Sequence, residues 1–156
     1  MTIAASLKQY LEQGSVDFQL VGHPHTGSSM ETAAAAHVPG DRLAKAVVLN
    51  DGESFLIIVV PSDYHVHLGR LHRHLGREVG LATEEELAAL FPDCDVGAVP
   101  PLGQVYGVRT LVDSMLFKRP EVFFESGDHE HLVKVSGEQF RTLLKKAEQV
   151  DVSQHV

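Results

Sequence analysis

The chain has 156 residues, 44% of them hydrophobic and 22% charged, with a formal net charge of −8 from 13 basic and 21 acidic residues. That length suits one domain with a buried core, expected over 1–156, and the acidic balance argues against broad electrostatic wrapping of a nucleic-acid backbone. The single cysteine, Cys94, excludes an internal disulfide and a Cys-pair metal motif. With no apolar run near the ~18 residues of a membrane span and no basic start leading into an apolar h-region, a cytoplasmic protein without membrane association is expected.

Residues 2–13 place Ile3, Leu7, Tyr10 and Leu11 on one helical face, with Gly14 set to end the helix. Residues 17–21 alternate as a short strand with Phe18 and Leu20 inward. A loop, 23–27, precedes Ser28, which with Glu31 forms a capping box for a helix through four alanines to about His37. So little side-chain bulk lets that helix pack closely on a sheet or beside a ligand. Two strongly apolar strands follow, 45–49 and 55–60, joined through Asp51-Gly52, a hairpin signal. Their continuous β-branched content requires cover on both faces, which makes Lys45 conspicuous: it either snorkels to the surface or faces a polar pocket.

Residues 63–75 read as a helix with Leu68, Leu71 and Leu75 as its buried stripe. His65 with His72, and His67 with His74, flank that stripe seven apart, not at the i, i+4 spacing of a helical metal site, so they read as solvated borders. A short strand at 79–81, a Thr83/Glu86 capping box with a helix over 84–91, strands at 106–112, 121–124 and 131–135, a turn at 126–130 and a Ser136/Gln139-capped helix to about Gln149 complete the pattern. Residues 151–156 read as frayed. Short strands interleaved with helices and tied by a hairpin give an α+β fold, and no dinucleotide or P-loop fingerprint is present.

The informative segment is 96–104, Val-Gly-Ala-Val-Pro-Pro-Leu-Gly-Gln. Proline withholds its N–H and glycine admits positive φ, so this is neither helix nor interior strand but a loop of fixed shape, either a rigid turn or one that aims backbone N–H groups at a carbonyl or oxyanion. Cys94 lies close by with no sequence-adjacent base, so it reads as structural.

Gly97 to Pro101 fits the G-x-x-x-P loop of the YbaK/ProX family of aminoacyl-tRNA deacylases, which includes the insertion editing domain of bacterial prolyl-tRNA synthetases. Residues 102–104, Thr110 and Asp113 resemble the rest of that segment, and 43–49 resembles the strand carrying the family's functional lysine, here Lys45. The resemblance covers nearly the whole chain. It implies a mixed, barrel-like β-sheet surrounded by helices, and trans-editing hydrolysis of the ester between a mischarged small amino acid and tRNA, with no metal or other cofactor. Lys45 would hold the terminal phosphate or ribose, and Gly97, with Ala98 and Val99, would turn N–H groups to the carbonyl. Pro100 and Pro101 would shape the pocket wall, with His25, Thr26, Gly103 and Asp113 completing the substrate site. The implied partners are a tRNA acceptor end and an aminoacyl-tRNA synthetase. The chain departs from the family at Ala98 and Pro100, which stiffen the loop, and at the acidic turn Asp128-His129-Glu130-His131, where His131 is a candidate base or water-orienting group, or else a surface residue at a strand end. That turn would repel phosphates, which leaves a second reading open: a binding module of the same fold that recognises an aminoacyl group, a metabolite or a partner protein.

Overall fold

Two β-branched runs separated by a tight Asp-Gly turn dictate the centre of the fold. The computed structural model describes residues 3–26 and 28–155, so expectations touching Thr2, Gly27 and Val156 lie outside the described residues. The runs become β2 (Leu43–Asn50) and β3 (Phe55–Pro61), paired antiparallel from Ala44↔Pro61 to Asn50↔Phe55. Around them lie β1 (Gln19–Gly22), β4 (Tyr64–Val66), β5 (Gly80–Leu81), β6 (Arg109–Asp113), β7 (Glu121–Glu125), β8 (His131–Ser136), β9 (Glu148–Val150) and β10 (Ser153–His155). The helices are α1 (Ala5–Gln13), α2 (Ser29–Ala35), α3 (Leu68–Leu75), α4 (Glu84–Leu90) and α5 (Gly137–Leu143). Seven strands run in the order β1-β8-β7-β2-β3-β6-β9, with β5 added on β2. The β2–β7, β3–β6 and β6–β9 pairs are parallel and the others antiparallel, so the fold is α+β with a mixed sheet, and no pairing among the described residues closes it into a barrel.

The period-2 alternation of β2 divides the core. Ala44 and Val48 join the main cluster with Leu7 and Leu11 of α1, Ile57, Val59, Val112, Phe124, Val133 and Phe140. On the other face the apolar cover is split. Leu49, Ile58, Val60, Leu111 and Val150 pack with Leu71 of α3, whereas Leu43, Phe123 and Leu132 pack with Ala33 of α2. Lys45 falls between Leu43 of one cluster and Val47 of the other, in the seam that α2 and α3 leave between them. β3 is covered on both faces, as its composition requires, whereas β2 is only partly covered at 45–47, and the alanine helix packs closely through Ala33.

Several elements differ from the sequence reading. Residues 64–66 form a strand rather than a helical turn, because they pair with β10, a partner that local periodicity does not reveal. His65 therefore lies outside α3, His67 caps that helix by accepting the Arg70 N–H, and Leu68 is 41% exposed. β1 is an edge strand in which Leu20 is 48% exposed and Val21 packs instead, opposite Leu132. The positive φ after α1 falls on Ser15, not Gly14. Strand β6 begins only at Arg109, since 103–105 form a 3-10 turn and Gly107 has φ 70°.

The last helix stops at Leu143. Beyond it Val150 and Val152, two apart, fill the α3-side cluster while β9 adds to β6 and β10 adds to β4. Residues 151–155 are therefore docked, not frayed. Among the described residues no helix is long and apolar enough to cross a membrane. Val152→Ala should lower unfolding stability by about 2 kcal/mol, since it removes two buried methyl groups; chemical denaturation would show it, and an unchanged midpoint would mean the tail contributes nothing.

Candidate active site

Strand β7 ends at Glu125 and the chain returns into β8 through a turn that a single carboxylate organises. Asp128 is buried; its Oδ1 accepts the N–H groups of Glu130 and His131, each at 2.9 Å, and lies 3.2 Å from the Ser126 hydroxyl, which donates to His131 O at 2.7 Å. Its Oδ2 accepts the His131 Nδ1–H at 2.6 Å. Burial pushes the Asp128 carboxyl up, but the donors from Glu130 and His131 outweigh it and hold its pKa below the ordinary value. A carboxylate only accepts, so the His131 proton sits on Nδ1 and Nε2 offers a lone pair on a side chain that is 32% exposed.

The same turn forces His129 to φ 59° and buries its ring. Its Nε2–H donates to the Val96 carbonyl at 2.5 Å, which leaves Nδ1 unprotonated, buried and without a partner. Gly97, at φ 84°, lies directly beneath: a Cβ there would stand 3.2 Å from His129 Cε1. Asp95 N–H donates to Gly127 O at 2.7 Å, so the Gly/Pro loop and the β7–β8 turn form one unit. The His25 ring lies 5.4 Å from that of His129. Next to it, His23 donates its backbone N–H to Glu130 O and its Nδ1–H to Pro24 O, which leaves a second buried, unpartnered nitrogen at Nε2.

A chain of polar side chains runs behind these rings. Thr26 Oγ1 is 2.5 Å from Thr32 Oγ1, and Thr32 donates to Ser28 O and contacts the Glu125 carboxyl. Glu125 is buried with one carboxyl oxygen unpartnered; burial pushes its pKa up to about 7, opposed by Thr32 and assisted by the Asp128 charge. The parallel pairs Leu43↔Phe123 and Ala44↔Phe124 put Lys45 and Glu125 in the next row, on the face that carries Leu43 and Phe123. Lys45 is half-buried and donates from Nζ to Tyr64 O at 2.8 Å; burial lowers its pKa, and the nearby Asp63 charge raises it in part.

The structure thus gathers His25, Thr26, Gly97 and His131 around one turn and sets Lys45 on the adjoining strand. Other expected residues lie elsewhere or present no free group. Ala98, Val99, Pro100 and Pro101 are buried, and the Ala98 N–H is taken by Asp95 O, so Ala98 does not supply a carbonyl donor; among the described residues no backbone carbonyl takes the N–H of Gly97 or Val99. Gly103 is buried at the far end of the loop, donating to Thr110 Oγ1 at 3.1 Å, and a Cβ there would overlap Thr110 and the Val108 carbonyl. Asp113 is fully buried, with one oxygen accepting the Met115 N–H and the other the Ser153 hydroxyl. Cys94 bonds the Tyr106 hydroxyl at 3.1 Å, and burial pushes its thiol up to about 12, which makes a thiolate nucleophile unavailable at neutral pH. Among the described residues no group of three or more His, Cys, Asp or Glu is arranged to hold a metal ion.

Sequence reasoning reached His131 but passed over His129 and Glu125. The turn's composition flagged two histidines two apart, and only the backbone tells which ring meets the Gly97 loop. Glu125 gave a weaker signal still, a carboxylate ending a strand that is otherwise apolar after its first residue.

Residues 23–143 match the family described as the aminoacyl-tRNA editing domain, and the chain belongs to that family. A relative in Escherichia coli strain K12, the multifunctional Ser/Thr-tRNA deacylase ProXp-y, is 29% identical over 126 residues that cover 75% of this chain and 73% of the relative. Among solved structures, a candidate trans-editing enzyme for prolyl tRNA synthetase shares the fold at 24% identity and TM-score 0.82, over 97% of this chain and 96% of that one. The hypothetical protein APE2540 shares it at 22% identity and TM-score 0.83, over 96% and 99%.

The Glu125 carboxyl makes stability depend on pH. Its folded pKa of about 7 lies above the ordinary 4.5, so the folded state holds the extra proton and stability falls as pH rises from about 4.5 through about 7. Glu125→Gln should remove that fall, gaining at most about 3 kcal/mol over wild type at pH 8 and nothing at pH 4. Urea unfolding at the two pH values measures it; parallel pH profiles for the two proteins would show that the carboxyl does not titrate in this range.

Proposed function

We propose that this protein is a trans-editing deacylase, one 1–156 editing domain, which hydrolyses the ester joining a mischarged small amino acid to the 3′ end of tRNA. The observation that carries this reading is the junction of the positive-φ Gly97 loop with the His129 ring. It sets the Gly97 backbone, whose N–H has no backbone acceptor among the described residues, against the buried His129 ring, with Lys45 on the neighbouring strand. An aminoacyl ester is already activated, so its hydrolysis needs position, an oxyanion site and an oriented hydroxyl more than a strong nucleophile.

In this reading the Gly97 and Val99 N–H groups face the carbonyl oxygen as it becomes an oxyanion. His131 Nε2, on the more exposed ring, accepts a proton of the attacking water. Asp128 holds the His131 ring and stabilises it while it carries that proton, and as the tetrahedral intermediate collapses the imidazolium returns the proton to the departing ribose oxygen. Lys45 binds the terminal phosphate or ribose, for which its half-buried ammonium is a desolvated cation close to an apolar seam. The E. coli relative's name supports serine or threonine as the amino acid, and the Thr26–Thr32 hydroxyl pair is suited to a hydroxylated side chain. The acidic surface supports limited contact with tRNA, at its acceptor end, and a synthetase as the protein that delivers it.

Deacylation of tRNAs mischarged with Ser, Thr, Ala or Cys tests the proposal directly. Wild type should hydrolyse at least one member, and Lys45→Ala should slow that reaction by about 100-fold while melting as a folded protein. Turnover unchanged in the variant would remove lysine from the mechanism. No hydrolysis of any member, with or without a synthetase, would favour the binding module instead. Gly97→Ala should also cost activity, since φ 84° and the His129 ring both oppose a methyl group, and it should lower stability by about 1–2 kcal/mol.

A further inference from the structure

Away from the histidine turn, the starts of β6 and β9 and the end of α5 enclose a cavity of about 470 Å³, within the size range of small-molecule sites. Its lining combines three cationic residues, Arg109, Lys145 and Lys146, with the apolar Leu143 and the aromatic Tyr10. In a chain of net charge −8, three cations face the cavity against one carboxylate, Glu148, and that one is already held by Arg109 at 3.0 Å and His74 at 2.9 Å. Neither Lys145 nor Lys146 has a carboxylate partner among the described residues, and both are exposed, so their charge is available to an incoming anion.

The lining also carries a hydrogen-bonding group with a spare valence. Gln104 donates its amide to Leu143 O at 2.8 Å, which fixes the carboxamide and leaves Oε1 as an acceptor without a described partner. Gln104 also lies three residues beyond Pro101, so its Cα is at most ~11 Å from the end of the Gly/Pro loop. Cations for an anion, a flat aromatic side chain for a planar ring and a fixed acceptor for an exocyclic amine together match a phosphorylated nucleoside.

We infer that this cavity is a second binding site, for a nucleotide, and that Lys145 and Lys146 hold its phosphate. The nucleotide's source is either the acceptor strand of the tRNA or a free mononucleotide, and the chemistry of recognition is the same for both. The site is separate from the hydrolytic centre, and its occupancy is read without any ester, so failure here leaves deacylation untouched.

The test compares wild type with a Lys145→Ala/Lys146→Ala double variant, checked by thermal melting, in titrations with 5′-CMP and 5′-AMP and with the matching nucleosides. Wild type should bind at least one nucleotide more tightly than its nucleoside, and the double variant should lose about tenfold in that affinity. If the ligand is part of tRNA, the variant's KM for mischarged tRNA rises about tenfold with kcat unchanged, hydrolysis of a short aminoacyl-adenosine ester is unaffected, and the salt dependence of KM becomes shallower. If the ligand is a free nucleotide, affinity for it falls while KM for tRNA stays the same. Equal nucleotide affinity in the two proteins, or no nucleotide binding by wild type together with an unchanged KM for tRNA, overturns the assignment.

Discussion

The Asp128 carboxylate is the constraint on which the site depends. One buried anion takes two backbone N–H groups and an imidazole N–H, while the adjacent Ser126 hydroxyl donates across the turn to His131 O, and together they fix the shape of the reversing chain. The neighbouring carbonyls of that turn reach further: Ser126 O accepts the Ala4 N–H at 2.8 Å, which ties down the start of α1, and Gly127 O accepts Asp95 N–H. The burial cost of a carboxylate is met here by charge-assisted hydrogen bonds, the condition under which a buried anion stabilises a fold. Because the turn is over-determined in this way, it holds His129 in a left-handed backbone conformation that a free chain would seldom visit.

A second constraint is the division of the apolar cover over β2. Had α2 and α3 packed edge to edge, Lys45 would have been sealed under hydrocarbon or forced to a distant surface. Instead the two clusters stop on either side of it, and its ammonium reaches a carbonyl of β4 with Asp63 nearby. A cation kept half-dry is a stronger partner for an incoming phosphate or carbonyl than one in bulk water, because the surrounding dielectric screens it less. The gap in an otherwise continuous hydrophobic layer is what leaves that ammonium half-buried rather than sealed.

Much of this was legible in the residues. The β2–β3 hairpin, the capped helices α2, α4 and α5 and the rigidity of the Gly97 loop follow from local chemistry, and local chemistry acts within a few residues of itself. The helix packing over Lys45 and its partner on β4 were not legible, because they depend on strands that meet far apart in the chain. The same limit explains the terminal segment: Val150 and Val152 look like a tail until β6 and β4 are placed beside them. It also explains Gly103 and Asp113, which sit in a segment resembling the family's functional one but are held by Thr110 and Ser153 within the fold. Resemblance named a set of residues; the hydrogen bonds distinguish the groups left open from those already engaged.

The parallel pairing of β9 with β6 has a consequence for biogenesis. During synthesis, β2, β3, β6 and α3 all emerge before residues 148–155, yet the cluster around Leu71, Leu111 and Ile58 is finished only by Val150 and Val152. Until those valines arrive, β6 presents an unpaired edge and an apolar patch, the two features that recruit other chains. A chain ending shortly before residue 148 and released from the ribosome would have nearly all of its sheet and a sticky flank, with the turn around Asp128 already complete. Closure by β9 and the valines around it therefore seals the body of the fold from a segment that the histidine turn does not need.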